Sequence, residues 1–378
     1  SSIATSASTE LPSIEDFVRH AQYGTAKISP NGKYIAITVD RGGQDILVVL
    51  NASDLSILKA NQLPENKSVG AYYWSSPERL ILTSTQKVGS FSAPFSTGEW
   101  YAVNADGSKP RSLIYYGVRA RTERGKNISN NERFSMLDPR SGSDNQALMQ
   151  VTSPMSKEGV KTEAVLVDTS TGRRKTLARA PRENCQFALD KDRQPTFVVC
   201  MDSKDTEGNF AEHSELYQRE ADGGWKLLNS SHTDGKRLTV LGSSVGGTIY
   251  ATLDDQKGPA AVGVLSPDTG EFTTLFQDPI SDPAGYIISP VSEEILGVVT
   301  EAGKPKVTLI SDNTADIALY NSLIQAFPND HVNFANATDD GEKIIISVYS
   351  DVNPGTLYLF NRKDGSARFL MQNRDWIN

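Results

Sequence analysis

The chain has 378 residues, 38% hydrophobic and 22% charged, enough apolar material for one large or two ordinary domains and too little polarity for wholesale disorder. Its formal net charge is −8, with Lys and Arg scattered singly among acids. A nucleic-acid binder needs a basic patch to displace counterions, so that class is set aside, and no run approaches the ~18 apolar residues of a membrane span.

Residues 1–10 are small and polar, as in a tail left by signal-peptide removal or in any loose terminus. Ile14, Phe17 and Val18 then suggest a short helix over residues 13–20. From there a unit recurs: a strand, a tight polar turn, and a second apolar strand. The clearest copy runs from Ala26 through Ser29-Pro30-Asn31-Gly32 to Ile37, and the last from Phe334 through Asp339-Asp340-Gly341 to Ile346. Asn-Gly and Asp-Gly supply residues that tolerate positive φ, and the alternation after them suits a half-buried strand. The turns open near Ser29, Ser75, Asp138, Asp190, Ser243, Ser289 and Asp339. That spacing of roughly 50 residues is near the ~40–50 of propeller blades.

A second hairpin signal follows in six of the seven units, for example Val103-Asn104-Ala105-Asp106-Gly107 and Leu265 to Gly270. The expectation is an all-β, seven-bladed β-propeller of four-stranded antiparallel blades, with the short N-terminal helix in front. In the sixth unit the second turn is missing. Residues 315–327 instead carry Ile317, Tyr320, Leu323, Ile324 and Phe327 on one helical face, with Thr314 as cap and Pro328 as stop. This predicts one helix inserted between the outer strands of the sixth blade.

The search for chemistry ends empty. Gly242-Ser243-Ser244-Val245-Gly246 fits the G-x-S-x-G nucleophile elbow, but strand-like runs flank it on both sides and no helix follows. It reads as a hairpin turn, an exposed position where losing the Ser244 hydroxyl would cost little. Only His331 lies downstream as a base. Asp254-Asp255, Glu293-Glu294 and Asp339-Asp340 lie in or beside turns, where acids solvate backbone. Gly223-Gly224 and Gly246-Gly247 lack the setting of a phosphate loop, and Trp74, Trp100, Trp225 and Trp376 read as packing anchors.

His20, His213, His232, His331 and two cysteines are too dispersed for a zinc site, and no cofactor is expected. Five Asn-x-Ser/Thr triplets, the last at Asn336, match the glycosylation acceptor pattern, which arises easily by chance. Cys185 begins the first strand of the fourth unit and Cys200 ends the second. With the turn centred near Asp192, both fall on one rung of an antiparallel hairpin, so a disulfide is expected in an oxidising compartment.

Pro12 to Phe17, Ala26 to Ala36, the helix at 315–327 and the close Ser350 to Phe360 together resemble bacterial prolyl oligopeptidase-family enzymes. The resemblance covers Leu11 to Asn378. It implies a tail and helix at 1–23, a propeller at 24–372, and at 373–378 the start of a linker to a C-terminal α/β-hydrolase domain with a Ser-Asp-His triad. No residue of this chain corresponds to that triad, so no catalytic residue is carried over. The implied work of the propeller is to dock on the hydrolase domain of the same protein and limit its access to short peptide substrates; the polar tail and the expected disulfide point separately to a periplasmic or secreted setting, with a cytoplasmic one left open. Two alternatives stay open: a stand-alone periplasmic interaction scaffold, and a propeller enzyme with its own carboxylate or metal site in the channel.

Overall fold

The computed structural model describes residues 21–64, 66–89, 93–121, 127–141, 145–154, 160–202, 213–374 and 376. The helix expected at 13–20 lies outside the described residues. Seven antiparallel meanders follow one another along the chain, over residues 23–61, 68–114, 133–179, 185–230, 237–276, 283–309 and 331–372. Each strand pairs with its neighbour in sequence. The first strand of every blade lines the central space, and together they make a seven-bladed β-propeller. The alternation in the sequence explains the packing. Each sheet has two buried faces, and six apolar clusters each span two neighbouring blades, so the core is a ring of slabs.

Six blades have four strands. The sixth has three, and the helix Thr314–Ala326 follows where its fourth strand would be, so the helix replaces a strand and is not inserted between two. Asn313, not Thr314, caps it: the Asn313 side chain accepts from the Asp316 amide at 3.2 Å. A side-chain amide one residue earlier reaches the free N–H groups of the first turn, so the helix starts there. Tyr320 and Leu323 are buried against the seventh blade, while Ile324 stays 37% exposed. A two-stranded ribbon, Gly117–Arg121 with Asn127–Asn130, accounts for the long interval between the second and third units.

The first hairpin of each blade is closed by a short polar side chain. Ser29, Ser244 and Thr338 do it alike. The hydroxyl oxygen accepts from the amide of the returning strand (Tyr34 at 3.0 Å, Thr248 at 3.1 Å, Lys343 at 3.1 Å), and the residue's own N–H bonds back to that strand's carbonyl. Gly32, Gly247 and Gly341 occupy the left-handed position of these turns (φ 70°, 93° and 67°). Ser75, Asp138, Asp190 and Ser289 hold the corresponding place in the other blades. The fifth and seventh turns therefore open at Ser244 and Thr338, one residue away from Ser243 and Asp339. Hydrogen bonding fixes that register, and composition alone does not show it.

Among the described residues no strand is exchanged between the first and last blades. The ring is closed by side chains and turns. The Asn336 amide lies against the innermost strand of the first blade, accepting from Ile28 N at 3.0 Å and donating to Ile28 O at 2.8 Å. It thus imitates a strand partner, which leaves this acceptor-pattern asparagine occupied. Asp339 N donates to Pro30 O (2.9 Å), Gln22 N donates to Asn373 O (3.1 Å), and Ile28, Ile35 and Ile37 share a cluster with Ile345, Leu357 and Met371.

Cys185 and Cys200 are register partners and form a disulfide, with Sγ–Sγ 2.01 Å and Cα–Cα 3.9 Å. Thiol titration of the unfolded, unreduced chain should therefore find no free thiol. Reduction should lower stability by about 3 kcal/mol, the chain-entropy value for a loop of this size, read from the shift in urea midpoint. Asn336→Ala should cost about 2 kcal/mol in the same measurement, because Ile28 is fully buried and both its backbone groups lose their partner.

Candidate functional site

The formal nucleophile elbow is structural. Ser244 is fully buried, its oxygen accepts from Thr248 N, and Val245 N donates to Ser292 O of the next blade at 2.9 Å. A strand follows it, Ile249–Asp254, so the turn lacks the helix N-terminus that an elbow uses. His331 begins the first strand of its blade, whereas Ser244 ends the first strand of another. The two sit at opposite faces of the ring, and His331 packs on Tyr349. The expectation that Ser244 is exposed is corrected: the hydroxyl is part of the clamp and is shut away from water.

The paired acids are likewise held singly. Asp254 pairs with Arg237, Glu294 accepts from Ser311 Oγ at 3.0 Å, and Asp340 accepts from Glu342 N and Thr338 Oγ1. His213 and His232 do come together, stacked at 4.1 Å, with His232 Nε2 2.9 Å from Asp202, which Arg182 also holds at 2.6 Å. Among the described residues no group of three or more His, Cys, Asp or Glu side chains is arranged to hold a metal. Trp74 stacks on Tyr34 of the preceding blade, and Trp225 donates to Arg179 O of the blade before it, so both act as anchors between blades.

What remains is the channel. In a meander the first strand of each blade runs from one face to the other. In the four-stranded blades the first and third connections then lie on one face, and in the sixth the third strand ends on that face before the helix Thr314–Ala326. The second connections, the crossovers between blades and both described chain ends lie on the opposite one. Two ion pairs cross the turn face. Arg140 of the third blade reaches Asp339 of the seventh at 2.6 Å, and Arg193 of the fourth pairs with Glu293 of the sixth. Neither pair joins adjacent blades, so both cross the channel mouth. Arg193 and Glu293 each take a left-handed backbone (φ 59°), Arg193 in the slot that glycine fills in the clamped turns and Glu293 one residue further on. A side chain on such a backbone is the one local signal that could have marked them.

Two cavities share this mouth. The larger, about 590 Å³, lies among the third to sixth blades and is lined by Phe187, Arg193, Val240 and Tyr286. The other, about 450 Å³, is formed by the first, second, third, sixth and seventh blades and is lined by Lys27, Tyr73, Trp74, Arg140 and Phe334. Lys27 donates to Tyr72 O at 2.8 Å and stands 4.5 Å over the Tyr73 ring. Burial pushes its ammonium below the usual lysine range and pushes the Tyr73 phenol up. Sequence reading missed Lys27, because a lysine in a strand carries no motif.

With this geometry in place, the comparisons give one consistent answer. No family model matches the chain, and no curated protein sequence matches it significantly. Solved structures do match. Prolyl endopeptidases are similar at TM-score 0.56 and 11% identity, over 94% of this chain and 50% of theirs. A puromycin hydrolase gives 0.56 and 14%, over 98% and 57%. Prolyl oligopeptidase B from Galerina marginata gives 0.55 and 11%, over 95% and 53%. The likeness is one of fold: this chain has the architecture of a prolyl oligopeptidase-type propeller. It spans about half the length of the chains it matches.

Ser244→Ala should lower stability by about 1 kcal/mol through the lost acceptor for Thr248 N–H, measured by urea unfolding. Neither the original chain nor the variant should react with a fluorophosphonate probe. Stoichiometric labelling lost on substitution would restore Ser244 as a nucleophile.

Proposed function

We propose that this chain is the propeller module of a prolyl oligopeptidase-like serine peptidase, docking on a C-terminal α/β-hydrolase domain of the same protein and restricting entry to short peptides. The observation that carries this is the likeness in fold to peptidases of which the chain spans about half the length. Gln22 and Asn373 meet by a backbone hydrogen bond on one face, and that face is the one we assign to the hydrolase domain.

That face also exposes apolar side chains around the ring. Val88, Phe95, Met201, Ile280, Tyr349 and Val352 lie in or beside its connections, with Ile280 77% and Val352 79% exposed. Scattered apolar residues are ordinary on a surface, but a ring of them around one channel mouth suits a partner seated over that mouth. The half-length match to the peptidases supports the same arrangement. On the far side, the ion pairs across the turn face would hold a peptide-sized opening nearly shut. A periplasmic or secreted setting fits the Cys185–Cys200 disulfide, which needs an oxidising compartment.

Co-expression with the hydrolase domain encoded by the parent gene should give a one-to-one complex by size exclusion that cleaves short peptides. Ile280→Asp with Val352→Asp should weaken that complex at least tenfold and leave the propeller's own unfolding midpoint unchanged. Arg140→Ala and Arg193→Ala should each cost the isolated chain less than about 1 kcal/mol, since these pairs are partly exposed. In the complex they should raise kcat/KM severalfold for longer peptides. A complex indifferent to the apolar face would overturn the docking geometry.

A further inference from the structure

The mouth of the channel at the turn face holds three charged groups around the smaller cavity, and two of them are spoken for. Arg140 is paired with Asp339 and Glu293 with Arg193. Lys27 is different. Its ammonium has three N–H donors, and one goes to Tyr72 O. The Tyr73 and Tyr72 rings, at 4.5 and 5.2 Å, contribute cation–π attraction but accept no full hydrogen bond. Among the described residues no carboxylate lies within ion-pair distance of it.

The neighbouring polar groups are occupied elsewhere: Trp74 Nε1 donates to Lys27 O at 3.1 Å, and the Asn336 amide is committed to Ile28. A half-buried cation with two free donors and no counter-ion is costly for the folded chain, and an entering anion relieves that cost. The rest of the wall is apolar: Pro30, Pro139, Pro290, Tyr73, Trp74 and Phe334. A bare inorganic anion gains nothing from such a wall, whereas an anion carried on an apolar body gains at both ends.

We propose that Lys27, with the Tyr73, Trp74 and Phe334 surfaces around it, forms a binding site for the carboxylate of a short apolar peptide at the far mouth of the channel. The free C-terminal carboxylate is the group that the site fits best, placed at the ammonium with the preceding side chain against the aromatic and proline wall. The site would hold the trailing end of a peptide in the channel. It deepens the reading of the channel as a peptide route, yet its test needs no hydrolase domain, so the two can fail separately.

Calorimetric titration of the chain with N-acetyl-Phe-Ala as the free acid, and with the same peptide as its C-terminal amide, tests this at pH 7. The free acid should bind, and the amide should bind at least tenfold more weakly. N-acetyl-Phe-Glu amide distinguishes a side-chain carboxylate from a terminal one. Lys27→Met should abolish the preference for the acid while unfolding at no lower urea concentration than the original, because it removes a desolvated charge. Lys27→Arg should keep part of the preference. Binding of the free acid should fade as pH rises through the lowered pKa of Lys27, which loses its charge there. Equal binding of acid and amide, an unchanged preference in Lys27→Met, or inorganic phosphate binding as tightly as the peptide acid would each overturn the proposal.

Discussion

Among the described residues no strand passes between the first and last blades, so side chains and turns hold them together, and the side-chain amide of Asn336 sets the register of that joint. Asn336 presents a carbonyl and an N–H to Ile28 at nearly the spacing of a backbone partner. The edge of an innermost strand is therefore satisfied where a sheet would otherwise end. The channel exists because this joint holds. Its walls come from first strands that are far apart in sequence, and Lys27, Tyr73 and Phe334 face one cavity only when the ring is shut. The apolar cluster shared by the two blades supplies affinity at the joint, and the amide supplies register.

The repeated clamp in the first hairpins explains why the Ser244 turn matches the nucleophile-elbow pattern while its hydroxyl serves the turn. A serine that closes a tight turn beside glycine is the same local pattern that a hydrolase uses to expose a nucleophile. What separates them is the next element. In an elbow the chain turns into a helix and the hydroxyl projects outward. Here it turns back into a strand, and the hydroxyl is consumed by the returning amide. Ser29 and Thr338 do the same work in other blades, which marks Ser244 as one copy of a repeat.

The two faces of the ring differ in what they display. The turn face concentrates charge over the channel, with ion pairs that reach between non-adjacent blades. The opposite face gathers the chain ends and exposed apolar side chains. Antiparallel meanders impose this asymmetry, since alternate connections must fall on alternate sides. The sequence then loads each side differently.

The amino-acid sequence by itself determined the class, the number of blades, the helix in the sixth unit and the pairing of Cys185 with Cys200. Each of these is local or periodic. Turn residues and alternation lie within a dozen positions of one another, and register in a hairpin follows from counting away from its turn. Only the tertiary structure decided the rest. That the helix replaces a strand, that Asn336 helps close the ring, that Ser244 is buried and that Lys27 has no counter-ion among the described residues all depend on contacts between distant residues. Ile28 and Asn336 lie at opposite ends of the chain, and nothing in either neighbourhood announces the other. Long-range closure brings them together, and with them the channel that gives the chain a site.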